Sequence, residues 1–415
     1  MKQKQKMLSQ LVLVTFSDPF LPHFSRNAKG IMASSRSFSA AGSSATSRSS
    51  TSVRIGGQPI VRRGTFARVC CIDRAIAIFV SSTFQEPSMQ QRQVVILGAG
   101  KDTTFLRYQA DLLTTPTTVN STPDVNIQWY EVDLPSVIET KKRLLKTIPQ
   151  NLMAVSPHHT TSSPHLLPAT VEERSVTKTP TQNSTEVPFK AANSSYHLVP
   201  FDLRSDPVEL FELLTSNKAY NFNRNAPTIF VLECVFMYLS EDSTKRLLSA
   251  ISELCKLPLV VIYDPILQQK ENESSPFGNM MHQHLKRAGV LPRERPSSIE
   301  TCVTVSIYQD KLFNCGFDTV IGCNMADAYE SIVSKSQRNH VSSIEMLDEL
   351  EEWMLLMNHY CFITATTSAA AQTCPLLKKF FVVSDEENFT SSSTVPLEDP
   401  ISSLGFIKGK CIRRQ

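Results

Sequence analysis

The chain has 415 residues, of which 41% are hydrophobic and 20% are charged, a composition typical of a globular protein with a sizeable core. The net charge of +3 is too small to indicate nucleic-acid binding, and no apolar run approaches the roughly 18 residues of a membrane span, so neither partner is expected. Eleven Lys or Arg and one acid fall within residues 1–72, which leaves 31 basic and 38 acidic residues in a mildly acidic remainder.

The chain divides by composition into three parts. Residues 1–56 are basic and Ser-rich, which is typical of a targeting segment, a partly disordered linker or a start-site artefact. Residues 57–370 contain the apolar runs of one catalytic domain, and residues 371–415 form a C-terminal tail. Two polar stretches, 112–126 and 150–195, are predicted to be surface insertions because they cannot build a core.

The ten cysteines show no CxxC pair and no zinc-ligand spacing. They indicate reduced, mostly buried thiols and therefore a cytoplasmic protein. His158 and His159 stand in the second insertion without a Cys or carboxylate at ligand spacing, so no metal site is predicted.

Short apolar runs followed by amphipathic stretches recur along the domain. The runs are 94–97, 127–132, 228–234 and 259–264, and a third strand in chain order is expected to end at "HLVPFDLR". Continuous apolar runs of this length are typical of parallel strands covered on both faces. The alternation of such strands with helices predicts a doubly wound, Rossmann-like α/β fold with a mostly parallel sheet.

Three helices are predicted between or after these strands. One starts at Pro135 and buries Val137, Ile138, Leu144, Leu145 and Ile148. A second is capped by Ser240 and buries Leu247, Leu248, Ile251 and Leu254. A third covers about 343–356, with caps at Ser342 or Ser343 and a core-facing stripe of Met346, Leu347, Leu350, Trp353 and Met354, and leads into a strand at about 359–366.

The turn "LGAGKD" after the first strand predicts a cofactor site, because glycines there let a ligand approach main-chain N–H groups. A phosphate-binding P-loop is excluded, since Val95 stands in place of its first glycine and Asp102 in place of Ser or Thr. A nicotinamide fold would need a third glycine where Thr103 stands. Asp102 would also repel a pyrophosphate, whereas it suits S-adenosylmethionine with its sulfonium and ammonium groups.

Acidic residues end the neighbouring strands. Asp133 is placed to accept hydrogen bonds from a ribose diol, and Asp202 and Leu203 to lie by an adenine ring. Glu233 ends the fourth strand. Each acid alone is equally compatible with a helix cap or a solvated strand end, but four of them, Asp102 included, are expected to converge on one crevice.

A set of segments in order along the chain resembles the leucine carboxyl methyltransferase family. The segments are "RGTFARV" (63–69), "LGAGKDTTFLR" (97–107), "YEVDLPSVIETKKRLL" (130–145), "FDLR" (201–204), "LECVFMYLSED" (232–242), "FGNMMHQHLKRAG" (277–289) and "IEMLDELEEWMLLMNHYCFITAT" (344–366). The resemblance covers about residues 57–368 outside the insertions, and "FSDPFLPHF" (16–24) resembles the family's N-terminal segment.

The resemblance implies a class I S-adenosylmethionine-dependent methyltransferase fold with an antiparallel last strand. It implies methylation of the C-terminal leucine carboxylate of the protein phosphatase 2A catalytic subunit by a monomeric enzyme. The residues that match the family's cofactor positions are Arg68, Gly98, Asp133, Asp202, Leu203 and Glu233, with Arg68 and Tyr238 in the active site. Gly100 and Asp102 complete the predicted cofactor site from the composition of the turn itself.

One position departs from the family pattern. The family has a lysine upstream of its Asp-Pro motif, and alignment through Asp18 places Met7 there, with Lys6 nearby. Three alternatives remain open: a tRNA wybutosine-type carboxyl methyltransferase without its kelch domain, a small-molecule O-methyltransferase of the same superfamily, and a binding protein that has lost its activity. No repeat of about 50 residues follows position 370 to form a kelch propeller.

Overall fold

The computed structural model describes Asp18 and residues 59–82, 91–110, 113, 126–148, 194–271, 273–294, 296–373 and 410–413. The predicted N-terminal segment (apart from Asp18), most of the two insertions, with His158 and His159, and most of the C-terminal tail lie outside these residues.

One sheet of eight strands, in the order β3-β2-β1-β4-β5-β7-β6-β8, organises the described chain. The strands are β1 Gln91–Leu97, β2 Asn126–Asp133, β3 Ser194–Pro200, β4 Thr228–Glu233, β5 Pro258–Pro265, β6 Thr319–Asn324, β7 Tyr360–Thr366 and β8 Lys410–Arg413. Strands β1 to β5 pair in parallel, and β7 pairs antiparallel with both β5 and β6. This confirms the predicted mostly parallel sheet with an antiparallel strand, and β8 extends it antiparallel to β6.

Twelve α-helices lie within the described residues. They are α1 Pro59–Ser81, α2 Thr104–Gln109, α3 Pro135–Leu145, α4 Pro207–Ser216, α5 Glu241–Leu254, α6 Pro276–Arg287, α7 Ser298–Thr301, α8 Val305–Asn314, α9 Met325–Ile332, α10 Lys335–Ile344, α11 Leu350–Met357 and α12 Ser368–Thr373. The longest, α1, and the pair α8 and α9 that flank β6 were not predicted from the sequence.

The sheet is buried on both faces, as the continuous apolar runs predict. In β1, Val94 and Ile96 join a core built with α1, α3 and α9 on one face, whereas Val95 and Leu97 join a core built with α4, α5 and α8 on the other. The predicted start of α3 at Pro135 and the capping of α5 by Ser240, which accepts from the Ser243 N–H at 3.2 Å, are both confirmed.

The predicted helix over 343–356 is wrong in its extent and its inner face. Residues up to Ile344 belong to α10, which is capped by Ser334 rather than Ser342 or Ser343, and α11 starts only at Leu350. Trp353 is buried, but Met346, Leu350 and Met354 are 79%, 60% and 46% exposed. Helical spacing groups apolar residues on one face but does not show whether another element covers it.

The eight cysteines from Cys70 to Cys361 are free thiols. Seven of them are buried and Cys234 is partly exposed. Among the residues that the structure describes there is no group of His, Cys, Asp or Glu that could hold a metal ion. None of the helices in the described part of the chain is long and apolar enough to cross a membrane.

Candidate active site

The order of the strands reverses between β1 and β4, because β1 continues to β2 and β3 on one side and β4 to β5 on the other. Ligands of open α/β folds bind outside the carboxyl ends of the strands at such a switch point. The residues at those two ends, Gly98 after β1 and Glu233 in β4, therefore mark the candidate site.

The glycine turn after β1 depends on backbone conformations that favour glycine. Gly98 has φ +72° and Gly100 has φ +55°, and a Cβ on Gly98 would lie 3.0 Å from Val235 Cγ2. A Cβ on Gly100 would meet no atom within 4 Å, so this backbone borders open space. The turn thus brings bare main chain to the end of the sheet, as the sequence predicts.

A cleft of about 660 Å³ opens beside this turn. Its walls come from the turn, the ends of β2 and β3, the segment after β4 and the loop after α6. The lining residues are Gly98, Gly100, Lys101, Asp133, Leu134, Phe201, Asp202, Leu203, Arg204, Cys234, Val235, Tyr238, Leu239, Ser240, Ser243, Gly289, Val290, Leu291, Pro292, Arg293 and Glu294. The volume is in the range of a cofactor-sized pocket.

Asp133 connects the glycine turn to the end of β2. Its Oδ2 accepts from the Gly100 N–H at 2.7 Å and its Oδ1 accepts from the Leu134 N–H at 2.7 Å. The side chain is buried, with 8% exposure, yet it lines the cleft. Because each carboxylate oxygen can accept more than one hydrogen bond, Asp133 is both held in place and able to accept from a ligand hydroxyl.

Asp202 and Leu203 line the same cleft from the segment after β3. The Asp202 carboxylate pairs with the Arg204 guanidinium, with Oδ2 2.5 Å from Nη2, and this hydrogen bond holds the pKa of Asp202 below its usual value. Asp202 therefore stays ionised at neutral pH. Its partner Arg204 lines the cleft as well, which the sequence did not predict.

Arg68 reaches the site from α1 and is 6% exposed. Its Nε lies 3.3 Å from Glu233 Oε1, and its guanidinium stands over the Tyr263 ring, 5.6 Å from the centroid. Burial disfavours its charge, but Glu233, together with Tyr263, Cys234 and Tyr360, outweighs that effect and raises the pKa of Arg68. Arg68 is permanently charged here.

Two nitrogen atoms of Arg68, Nε and Nη2, have no hydrogen-bond partner among the described residues. The approach of Nε to Glu233 is an ion-pair contact without hydrogen-bond geometry. Buried N–H groups are nearly always paired, so two such groups on one side chain need an explanation. A bound anion would supply it.

Tyr238 and Cys234 line the cleft next to this arginine. Burial, with smaller effects of Cys234 and Asp264, raises the pKa of Tyr238 to about 12. The phenol therefore keeps its proton at neutral pH and acts as a hydrogen-bond donor. Cys234 has φ +51°, an unusual conformation for a residue other than glycine that turns the chain sharply after β4.

The four predicted acids do not share one cleft. Asp133 and Asp202 line the larger cleft, whereas Asp102 and Glu233 line a smaller pocket against α1. The Asp102 Oδ1 accepts from the Thr104 N–H at 2.9 Å and the Thr104 hydroxyl at 2.6 Å, so this carboxylate closes a local turn just before α2, whose N-cap is Thr103.

The smaller pocket adds four charged residues that were not predicted as site residues: Asp18, Asp73, Lys101 and Arg107. Asp73 and Arg74 interrupt an otherwise apolar stretch of α1, which is a signal that the sequence offers. Lys101 was considered only as part of a P-loop. The sequence shows no pattern that would place Asp18 beside α2.

Comparison with known proteins gives a consistent family. Residues 14–252, more than half of the chain, match the leucine carboxyl methyltransferase family. Leucine carboxyl methyltransferase 1 of Rattus norvegicus is 26% identical over 312 residues, covering 74% of this chain and 78% of that protein. The Caenorhabditis elegans protein of the same name is 28% identical over 308 residues, with the same coverage.

Two further similarities are weaker or partial. The tRNA wybutosine-synthesizing protein 4 of Rattus norvegicus is 23% identical, but the match covers 77% of this chain and only 40% of that protein. Human N-acetylserotonin methyltransferase in complex with SAM is similar with a TM-score of 0.32 and 11% identity, covering 74% of this chain and 56% of that one. A TM-score this low contributes nothing to the assignment.

Proposed function

The chain belongs to the leucine carboxyl methyltransferase family, and we propose that it transfers a methyl group from S-adenosylmethionine to the C-terminal leucine carboxylate of a protein, the catalytic subunit of protein phosphatase 2A. The observation that carries this proposal is buried Arg68 beside Glu233 at the end of β4, with two N–H groups that lack partners among the described residues. A cation of this kind suits a reaction in which both the donor and the acceptor carry a carboxylate.

The described residues fit S-adenosylmethionine. The turn at Gly98 and Gly100 presents bare backbone to the cleft, and Asp133 beside it can accept from a ribose diol. Asp202 and Leu203 line the part of the cleft assigned to adenine, and the acidic side chain of Glu233 would hold the ammonium group. Arg68 would hold the carboxylate of the amino acid part.

The acceptor needs no general base. A C-terminal carboxylate has an ordinary pKa of about 3.3 to 3.7, so it is ionised near pH 7. Bound in this cleft, S-adenosylmethionine supplies a methyl group on a positively charged sulfur, which a carboxylate oxygen can accept without a proton transfer. The protein's task is therefore to orient the carboxylate and to keep water away from it.

Arg68 and Tyr238 are assigned to that orientation. The Tyr263 ring and the Glu233 carboxylate both contact the Arg68 guanidinium, so its orientation is fixed before a ligand binds. The Tyr238 hydroxyl, protonated at neutral pH, donates a hydrogen bond to the acceptor carboxylate. Too strong an ion pair would stabilise the reactants, because their opposite charges disappear during transfer, so Arg68 acts by positioning.

The apolar part of the cleft suits the terminal leucine and excludes water. Val235 and Leu239 line it from the segment after β4, and Val290 and Leu291 from the loop after α6. Burying a leucine side chain against such residues is worth about 1.5 to 3 kcal/mol, which favours leucine over polar terminal residues.

The test is transfer of a labelled methyl group from S-adenosylmethionine to the phosphatase 2A catalytic subunit. We expect label on the intact subunit, lost on mild base treatment as a methyl ester, and none on a subunit that lacks its last residue. Label on the truncated subunit would reject the leucine carboxylate as the acceptor. Size-exclusion chromatography of the same protein tests the expectation of a monomer.

A tRNA-modifying activity is the second candidate, since the match to the wybutosine-synthesizing protein covers 77% of this chain. The same labelled donor with tRNA from cells that lack this modification step separates the two. Transfer to tRNA without transfer to the phosphatase would favour this candidate. The small net charge of +3 favours the protein substrate.

A further inference from the structure

The loop after α6, residues 289–294, forms one wall of the larger cleft, and we call it the wall loop. The chain is fixed just beyond it, because Pro296 O accepts from the Glu241 N–H at 3.0 Å and Ser297 forms a β-bridge with Ser240. On its other side the wall loop continues from α6. The position of this wall therefore depends on the position of α6.

The wall loop follows directly from the last turn of α6. The Val290 N–H donates to Leu285 O at 3.0 Å and the Gly289 N–H donates to Lys286 O at 3.1 Å, the paired hydrogen bonds of a Schellman-type helix end. With its 12 residues α6 is about 18 Å long. A small rotation of the helix about its first turn is therefore amplified at the wall loop.

The tightest packing of α6 lies in its first turn. Gly278 is the only residue of this helix that is buried, and a Cβ there would overlap the Leu267 carbonyl oxygen, so the helix touches the main chain at this point. Further along, His282 Nε2 lies 2.8 Å from Glu300 Oε1. The start of α6 is thus where its placement is set.

A buried histidine contacts the residue that caps α6. Ser275 Oγ accepts from the Gly278 N–H at 3.0 Å as the N-cap, and it lies 2.6 Å from His359 Nε2. His359 is fully buried, and its Nδ1 lies 2.8 Å from Leu355 O. Because a carbonyl oxygen can only accept, Nδ1 carries the proton and Nε2 accepts from the Ser275 hydroxyl. Burial lowers the pKa of His359, which keeps the imidazole neutral in this arrangement.

His359 is itself attached to the sheet. Its carbonyl oxygen accepts from the Ile266 N–H at 3.0 Å, just after β5, and the next residue, Tyr360, begins β7. The Phe277 ring of α6 packs against the imidazole, with the ring centroids 4.7 Å apart. The contacts of His359 therefore connect the start of α6 to the end of β5.

We propose that Ser275 and His359 are positioning residues of the active site, whose hydrogen bond fixes α6 and thereby the wall loop. Val290 and Leu291 of this loop line the apolar part of the cleft. The role rests on the proposed function, in which that part of the cleft binds the terminal leucine. Neither residue is assigned a contact with the donor or the acceptor.

The test compares variants of the full-length protein by hydrogen exchange and by methyl-transfer kinetics. Ser275→Ala removes the hydroxyl and Ser275→Thr keeps one. Ser334→Ala is the matched control, because Ser334 caps α10 by accepting from the Gln337 N–H at 3.2 Å but does not line the cleft. Both alanine variants lose one N-cap, so their losses of global stability should be similar.

We expect Ser275→Ala to speed amide exchange in residues 285–294 on the order of tenfold, as the loss of about 1.4 kcal/mol of local stability would. The KM for the phosphatase 2A catalytic subunit should rise about fivefold or more, with kcat and the donor Kd within about twofold of the wild type. Ser275→Thr and Ser334→Ala should stay within about twofold of the wild type in all of these measurements.

Two variants of His359 separate its hydrogen bond from its packing. The side chain of His359→Gln can place an acceptor near the position of Nε2, whereas that of His359→Asn reaches only as far as Nδ1. Exchange in residues 285–294 should therefore be closer to the wild type in His359→Gln than in His359→Asn. Equal exchange in the two would show that the imidazole acts through packing alone and would overturn the proposal.

Equal exchange of residues 285–294 in Ser275→Ala and Ser334→Ala would also overturn it, since the bond would then not place α6. Faster exchange with an unchanged acceptor KM, or a larger change in donor Kd than in acceptor KM, would reject the role at the acceptor site. A wild type that transfers no methyl group to the phosphatase subunit would refute the proposed function, and with it that role. The exchange data would still decide whether the bond positions α6.

Discussion

Two buried arginines, Arg68 on α1 and Arg107 on α2, differ in how many of their N–H groups have partners in the protein. Arg107, 4% exposed, donates to Asp73 and to Thr104 and lies 3.7 Å from Asp18. Arg68, 6% exposed, has one carboxylate 3.3 Å away and two N–H groups without a partner among the described residues.

On the proposed function, we infer that the difference separates a charge that stabilises the fold from one that binds a ligand. A saturated buried cation stabilises the fold, because its removal leaves carboxylates buried without a counter-charge. A buried cation that keeps N–H groups without protein partners is a candidate for binding a ligand. We therefore expect mutation of Arg107 to lower mainly the free energy of unfolding. Mutation of Arg68 should lower mainly ligand binding and turnover.

Removing the charge of Arg107 should have the largest effect on stability. Arg107→Met leaves Asp73 and Asp18 buried near each other, and we expect a loss of about 3 to 5 kcal/mol in the free energy of unfolding. Chemical denaturation measures it. Arg143→Met, which changes an exposed arginine on α3, is the control and should stay within about 0.5 kcal/mol of the wild type. Equal stability of the two variants would contradict the structural role of Arg107.

Removing the Arg68 side chain should lower the rate of methyl transfer more than the free energy of unfolding. We expect Arg68→Ala to lose on the order of 100-fold or more in methyl transfer, the usual effect of deleting a preorganised donor. Its free energy of unfolding should change by less than about 1 kcal/mol, since no complete hydrogen bond is lost. Radiolabel transfer and denaturation on one preparation measure both.

Arg62→Met is the matched control for Arg68, because Arg62 lies on the same helix and pairs with Glu345 outside the cleft. It should keep full transfer activity. If Arg68→Ala unfolds as easily as Arg107→Met, the distinction between the two arginines fails.

The position of the larger cleft was predictable because strand ends carry a local signal. The apolar run at 94–97 is followed by glycines, and an acid ends each neighbouring strand, which together are enough to locate the switch point. The structure confirms the strands and places Gly98, Gly100, Asp133, Asp202 and Leu203 along one cleft.

Features that depend on long-range packing were not predictable in this way. Asp18 meets Thr103 and Arg107 only in the folded chain, and the charges of α1 give no indication of their partners. The exposed Met346 and Leu350 show the opposite case, in which a helical periodicity was extended across residues 345–349, which separate two helices, and was assigned to the core. Asp102 carries a site-like pattern, but its carboxylate accepts hydrogen bonds from Thr104 in the turn before α2.

A smaller effect is expected at the ribose side of the cleft. Asp133→Ala should weaken S-adenosylmethionine binding by about 1 to 3 kcal/mol, the scale of a lost charge-assisted hydrogen bond. Calorimetry measures it. Asp206→Ala, which removes the cap of α4 outside the cleft, is the control and should leave donor affinity unchanged. Unaltered affinity in Asp133→Ala would remove Asp133 from the donor site.

The smallest effect is expected from a mutation of Thr103, which lies beside the charged cluster of Asp18, Asp73 and Arg107. The Thr103 hydroxyl donates to Asp18 Oδ2 at 2.6 Å, and Thr103→Val deletes this bond while Arg107 remains beside Asp18. We expect a loss of about 1 kcal/mol in unfolding free energy, restored by Thr103→Ser. Because Thr103 and Asp18 line the smaller pocket and not the larger cleft assigned to ribose and adenine, donor affinity in calorimetry should stay within about twofold of the wild type. A greater loss of donor affinity than of unfolding free energy would contradict the separation of the two regions. It would mean that the contacts of Asp18 with Thr103 and Arg107 also fix the geometry of the donor site.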